Sequence, residues 1–403
     1  MKKIMFVDEH KIVNYAGGAE KVICNYANAF NKRGYEVCIV CMDMEKGKPL
    51  YPLDKHVKFI NLFYDQDGRP VFGGVCWFLK KLQKEVLRSV CGSEMRFNGK
   101  NIKDPKKEYY FQQFVYHLRR IVTQEMPDIF ISISVDGAGI IQKALQNSKI
   151  PVIAMCHTDP SHFFPELTES QWIYWKKCSC VQVLLPIFAE KLKEVGLKNV
   201  TVIPNSVPQV SDDAICRLED VHYKIIMVGR IEGSTKRQHL IIDAFALIAR
   251  LYPEWSIHIY GEIANKRYAK KLRQLVKKNH LEKRVCFEGV TNDIENRLRD
   301  SDIFAFPSGY EGFSLALTEA MSVGLPVLGC NDCLSVSNLI EDGKTGLLAD
   351  PNIESIADKL QLLMDDLKLR IDLGRGAHNA MKQYNKESIY SKWDRLISDK
   401  LGD

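Results

Sequence analysis

Residues 302–330 read DIFAFPSGYEGFSLALTEAMSVGLPVLGC. An apolar run ends at Phe306, and Pro307, Ser308 and Gly309 turn the chain. A helical stretch carrying Glu319 follows, Gly324-Leu325-Pro326 stops it, and a second apolar run begins at Val327. Two short, continuous apolar runs joined through a helix are the pattern of a buried parallel βαβ unit. The same alternation extends outward in both directions. KIMFVD, EVCIVC, VKFINLF, DIFISIS, PVIAMC and VQVLLP are the strands expected in the first half, and YKIIMVG, WSIHIYG and RVCFEG precede the quoted stretch in the second. Amphipathic segments lie between them, over residues 19–33 (closed by Gly34), 237–251 and 268–280. The predicted fold class is α/β, with two Rossmann-like parallel-sheet domains facing across a cleft.

A chain of 403 residues exceeds one average domain. The stretch NVTVIPNSVPQVSDDAIC has two prolines, turn-forming Asn and Ser, and then acids, which places the linker at residues 205–221. The expected domains are residues 1–205 and 206–385, with a terminal helix over 386–403 packing back on the first. Hydrophobic residues make up 46% and charged residues 26%, which excludes a largely disordered chain. No apolar run is long enough to span a bilayer, and Ile4 to Val7 is too short for the core of a signal peptide, so a cytoplasmic location is expected. The 12 cysteines read as reduced core thiols. Cys178/Cys180 and Cys330/Cys333 have weak zinc-ligand spacing, and Cys180 reads as part of a strand.

Charge is unevenly placed. The net is +6, yet residues 69–120 alone hold 12 Lys+Arg against 4 Asp+Glu, so the rest of the chain sums to −2. Aromatics are interleaved there, among them Trp77, Phe78, Phe97, Tyr109, Tyr110, Phe114 and Tyr116. A solvated basic insertion fits this pattern. So does attraction to an anionic membrane surface or a phosphate-bearing partner. Nucleic acid is not expected, since the pI is only ≈ 8.6 and no binding motif accompanies the patch.

Ligands of open α/β sheets bind beyond the carboxyl ends of the strands. In the quoted stretch that edge carries Glu311, Gly312 and a helix start at Phe313–Ser314. Free amides and the positive dipole end there suit phosphate, and Gly312 lets the backbone approach closely. Glu311 and Glu319 bracket such a site and could each hold vicinal hydroxyls. Capping by Glu311 and a surface position for Glu319 would explain the same residues. IIMVGRIEGSTKRQHL adds Arg230 at a strand end and Lys236 in the next loop, the cations a diphosphate needs beside two carboxylates. In the first half, Gly17 and Gly18 permit a tight turn after the first strand. His157 ends another strand on the same edge.

E-G-F-S-x-x-x-x-E followed by G-L-P-V, downstream of G-R-x-x-x-x-x-K, resembles the retaining glycosyltransferases of family four, which have the GT-B fold. The resemblance covers nearly the whole chain. It implies that Glu311 contacts donor-sugar hydroxyls, Glu319 the nucleotide ribose, and Arg230 and Lys236 the diphosphate. It also implies that the Phe313 and Ser314 amides hold phosphate oxygens, that the Gly17-Gly18 loop borders them, and that His157 lies near the reaction centre. Two positions depart from the family: Ser314 stands where Gly is frequent, and Arg237 where Lys-Gly is usual.

The function implied is transfer of a hexose or N-acetylhexosamine from a nucleotide sugar, with uridine diphosphate preferred, to a glycan or lipid-linked glycan. Polysaccharide or lipopolysaccharide assembly at the inner face of a membrane is the expected setting, with no cofactor beyond the co-substrate. No metal is expected. Asp65-Gln66-Asp67 has the spacing but reads as a turn before Gly68, and Asp300-Ser301-Asp302 precedes its strand, at the edge away from the ligand. Retention could proceed through a carboxylate nucleophile or by front-face attack; the family is usually read the second way. Two other classes stay open, a non-catalytic GT-B-like partner subunit and a dinucleotide-dependent oxidoreductase. The second lacks the third glycine of its motif, although Asp43 ends the second strand.

Overall fold

The structure is a computed structural model. It describes residues 1–402 apart from 16, 66, 73, 92–95, 98–99, 102–103, 147, 165–166, 213–214, 216–222 and 234. Part of the expected linker, Gln66 of the Asp65–Asp67 turn and the Phe97 side chain therefore lie outside the described residues.

The first sheet is built from β1 (Lys3–Asp8), β2 (Glu36–Cys41), β3 (Lys58–Asn61), β6 (Ile129–Ser132), β7 (Val152–Cys156), β8 (Cys180–Val183) and β9 (Val200–Val202). A small antiparallel pair, β4 (Arg96–Phe97) and β5 (Lys100–Asn101), stands apart from it. The sheet is parallel throughout, in the order β3-β2-β1-β6-β7-β8-β9. The second sheet holds β10 (Lys224–Val228), β11 (Ser256–Tyr260), β12 (Val285–Gly289), β13 (Ile303–Phe306), β14 (Val327–Cys330) and β15 (Leu347–Ala349). Its order is β12-β11-β10-β13-β14-β15. Both orders reverse beside their first strand, at β1/β6 and at β10/β13. A crevice opens at such a reversal, past the carboxyl ends of the strands.

β6, β7 and β13 are buried at every position, which is why they read as unbroken apolar runs. β11 differs: its burial alternates, leaving His258 and Tyr260 partly open on one face. β9 is a strand that the sequence reading did not name, just before the expected linker. Val200 and Val202 pair with Val181 and Val183 as a seventh strand, because the turn-forming prolines begin only at Pro204. The Cys178/Cys180 and Cys330/Cys333 pairs are buried in different lobes, so they cannot share one metal.

The chain ends by crossing back. Helix Lys386–Leu401 is capped by Asn385 and buries Trp393 against Tyr26 and Phe30 of helix Gly18–Lys32, with ring centroids 5.3 and 6.0 Å apart. Arg33 adds ion pairs to Glu387 (2.7 Å) and Asp394 (3.3 Å). The last helix thus completes the first lobe's core and fastens the second lobe to it.

Candidate active site

The loop after β13, residues 307–314, leads into helix Leu315–Ser322. Ser314 occupies the cap position without a side-chain capping bond. Glu311 does not cap either. Its Oε1 forms an ion pair with Lys236 Nζ and accepts from the Ser308 hydroxyl at 2.6 Å. The amide of Gly309 donates to the Thr235 carbonyl at 3.0 Å, so the loops after β10 and β13 are stitched together. Lys236 also sits 5.5 Å above the Phe306 ring.

Two polar contacts and one between backbones carry this site across the cleft. Lys21, on helix Gly18–Lys32, pairs with Glu319 at 2.7 Å. Arg230 donates to the Tyr15 hydroxyl at 3.0 Å and lies 3.3 Å from Glu232. The third contact is between backbones: a Cβ added at Gly312 would stand 1.8 Å from the His157 carbonyl oxygen. Gly18 faces Leu315, and a Cβ on Gly17 would collide with the Glu20 carboxylate. Gly17, Gly18, His157, Arg230, Lys236, Glu311, Gly312, Phe313, Ser314 and Glu319 are thereby gathered at one mouth between the lobes. Glu319 is only 17% exposed, which rules out the surface position that would have explained it otherwise.

Both departures from the family sequence sit at left-handed backbone. Arg237 has φ +50° and Ser314 φ +22°, conformations that glycine adopts most readily. Arg237 offsets its strain with a 2.8 Å ion pair to Asp332, its guanidinium lying against Gly309. The loop keeps the path a glycine would give it.

Opposite, at the end of β1, a second polar group faces the cleft. Glu9 receives a hydrogen bond from Ser134, and burial raises its carboxyl to about 7. His10 lies 3.6 Å from Asp8 and 3.4 Å from Glu9. Its bond to Asp8 leads the causes that raise it to about 9. His157 is pushed down to about 4, first by burial and then by the charge of His10. Asp8 Oδ2, Glu9 Oε2 and His157 Nε2 are buried without a partner among the described residues. Sequence reading passed over Lys21, Tyr15, Glu9 and His10. Their one available signal was position, since all four lie in or just after the loop that follows β1.

The acidic candidates Asp43, Asp65 and Asp302 resolve into structural roles. Asp43 accepts from the Ile12 and Val13 amides at 3.0 and 2.9 Å, so its carboxylate holds the β1 loop instead of facing a ribose. Asp65 accepts from the Asp67 and Arg69 amides in a turn. Asp302 accepts from the Lys224 amide at the far edge of the sheet. His162 is exposed and meets Tyr310, ring to ring, at 4.3 Å. Asn205 lines a cavity of about 240 Å³ with Lys21, Leu315 and Glu319. A second cavity, of about 470 Å³, lies on the other side of Lys21 and Glu319 and reaches Asn292 and Asp293. Among the described residues two groups could hold a metal: Asp8, Glu9 and His10 at the cleft, and His258, Cys286 and Glu288 on β11 and β12.

Known proteins share this architecture. The profile of the Glycosyltransferase Family 4 matches residues 16–209, and that of the Glycosyl transferases group 1 matches residues 214–380. The chain is 32% identical to a poly(ribitol-phosphate) alpha-N-acetylglucosaminyltransferase of Staphylococcus aureus, over 87% of this chain and 69% of that one. It belongs to the family-four glycosyltransferases. An uncharacterised glycosyltransferase of Haemophilus influenzae is 25% identical over 98% of this chain and its own full length. Two solved structures share the GT-B fold. Staphylococcus aureus TarM, in complex with Fondaparinux, alpha-GlcNAc-glycerol and UDP, has a TM-score of 0.74 at 20% identity, covering 98% and 99% of the two chains. Anabaena HepE with UDP and glucose has a TM-score of 0.71 at 18% identity, covering 99% and 100%. An enzyme of this family has no use for a dinucleotide site, in keeping with the engaged carboxylate of Asp43.

Two expectations follow for this glycosyltransferase. Gly312→Ala should force the lobes apart and cut turnover by about 100-fold, the scale of a 1 Å misplacement, with an unchanged circular dichroism spectrum; near-normal turnover would contradict the contact. The second concerns pH. The raised Glu9 makes the folded state hold an extra proton, so its stabilising effect is lost as pH climbs from the ordinary 4.5 through about 7. The lowered His157 acts in reverse, costing stability as pH falls from 6.5 toward about 4. Denaturant midpoints of Glu9→Gln should therefore gain on the parent between about pH 5 and about pH 8.

Proposed function

We propose that the chain transfers a hexose or N-acetylhexosamine from a UDP-linked donor to a glycan or lipid-linked glycan of the cell envelope. Transfer proceeds with retention, without a metal, and with the protein docked peripherally on a membrane. The observation that carries this reading is the mouth between the lobes. Two carboxylates bracket a helix start there, and Arg230, Lys236 and Lys21 stand around it. Glu311 takes the donor-sugar hydroxyls and Glu319 the ribose, beside a cavity with room for the base. The first turn of helix Leu315–Ser322 leaves amides that the helix itself does not use. With Arg230 and Lys236 they hold the diphosphate. UDP in the TarM and HepE complexes, and the acceptor named for the S. aureus relative, support this choice of donor and acceptor.

In the transfer, the bond between the anomeric carbon and the diphosphate oxygen breaks, and its electron pair leaves with UDP. The acceptor hydroxyl attacks from the same face, and its proton passes to the departing phosphate. Lys236 and Ser308 hold Glu311, which favours this front-face course over a covalent one through that carboxylate. Above about pH 5 His157 is neutral, so it lines the reaction centre as a dipole instead of a charge.

A slow donor-hydrolysis assay tests the assignment without an acceptor. Glu311→Ala should lower kcat, because its contact tightens where the transition state forms. Glu319→Ala should mainly raise KM, since ribose contacts act alike in ground and transition states. Arg230→Ala and Lys236→Ala should each cost about 2–4 kcal/mol of transition-state stabilisation. Wild-type kinetics in both Glu variants would remove the assignment. Hydrolysis should also survive a chelator. Loss restored by Mn²⁺ would overturn metal independence and make Asp8, Glu9 and His10 the first ligands to examine.

A further inference from the structure

Helix Gly74–Cys91 is seated the opposite way from an ordinary surface helix. Its inward side carries Trp77, Lys80, Lys84 and Leu87, only one of them aliphatic and apolar. Trp77 packs on Phe72 and Tyr109, with centroids 5.8 and 6.3 Å away, and Lys106 lies 4.5 Å over the indole. Lys84 pairs inward with Asp104. The outward side carries Val75, Phe78, Leu79, Leu82, Val86 and Val90, all exposed, with Val75 at 74% and Val90 at 69%. At 3.6 residues per turn these positions form one stripe about 22 Å long. A surface helix ordinarily turns such a stripe into the core, and an apolar band left in solvent marks an interaction surface.

We propose that this stripe lies in the headgroup region of an anionic bilayer. Charge selects that occupant. Apart from Lys84, which pairs inward, the helix carries Lys80, Lys81 and Arg88 against Glu85 alone. Residues 69–120 have an excess of eight positive charges. Pairing with a second copy would bring two such patches together and oppose itself. An anionic leaflet would attract the patch while the stripe enters the apolar boundary. No described helix is long and apolar enough to cross a membrane, so contact is in the plane of the interface. The inference names the element behind the peripheral docking proposed above. It does not depend on the transfer chemistry.

Co-sedimentation with phosphatidylglycerol–phosphatidylcholine vesicles tests it. The protein should bind at low salt. Leu79→Ser, Leu82→Ser and Val86→Ser together, which leave every charge in place, should weaken partitioning by at least about tenfold. Donor hydrolysis in solution should stay unchanged. In an otherwise unaltered chain, the indole added by Leu82→Trp should be quenched by brominated lipid. That arm decides alone if the triple variant loses hydrolysis. Vesicle binding by the triple variant equal to the parent's would overturn the proposal, as would an unquenched indole or a dimer that the triple variant dissolves. Vesicle binding by a parent chain with no donor hydrolysis would overturn the transfer reading and leave this one standing.

Discussion

One backbone contact sets the spacing of the two lobes: the His157 carbonyl against the Cα of Gly312. Everything else at the mouth depends on that distance. The Lys21–Glu319 pair and the Arg230–Tyr15 hydrogen bond each join side chains from opposite lobes, and either would part if the lobes separated by a few ångströms. A cleft gauged only by long side chains would be loose, because their rotamers are many and their ordering is entropically costly. A backbone contact has no such freedom. It keeps charged groups at fixed distances, which is what electrostatic stabilisation of a leaving diphosphate requires.

The charges at the mouth are balanced before any ligand is considered. Glu311 answers Lys236, Glu319 answers Lys21, and Glu232 answers Arg230. Unpaired carboxylates here would repel a diphosphate. Partly exposed ion pairs such as these contribute little net stability, since solvent screening and side-chain ordering offset their attraction. Their use is positional: each cation is held at the mouth by its carboxylate partner. The Asp8, Glu9 and His10 group faces them from the first lobe with the opposite economy, one acid held partly protonated by burial and one imidazole held charged by its neighbours.

Much of this was legible in the sequence, for definite reasons. Strands buried on both faces have to be continuous apolar runs, so most of both sheets could be read directly, the three-residue β9 and β15 excepted. Arg230, Lys236 and Glu311 lie in the loops that follow β10 and β13, and Glu319 on the helix after the second, on the edge where a parallel sheet exposes its loops in one direction. What escaped reading was whatever depends on tertiary distance. Lys21 meets Glu319 across 298 residues, and no local pattern announces that. The raised carboxyl of Glu9 and the lowered imidazole of His157 follow from burial, which the stretches around them do not encode. β9 was hidden by the prolines that follow it. At Arg237 and Ser314 the glycine that advertises a left-handed turn is missing, yet the turn is there, with Arg237 paired to Asp332.

Helix Gly74–Cys91 carries this limit to its end. Periodicity reveals that a helix has an apolar face and says nothing of where that face will point. The usual inference, that it points inward, rests on there being a core to receive it. Here the seat beneath the helix is already filled by Phe72, Tyr109 and Tyr110, and Trp77 with the stem of Lys84 completes it. The six apolar side chains are left on the far side. Rotating the helix by half a turn would bury the stripe, but it would draw Trp77 out of its aromatic seat and leave Asp104 without Lys84. Asp104 would keep the Lys106 and Lys107 amides but lose its cation, and an exposed valine costs little. Aromatic packing and one ion pair thus hold the apolar face outward. An outward apolar face on a basic segment is the feature on which the proposed docking to a lipid leaflet rests.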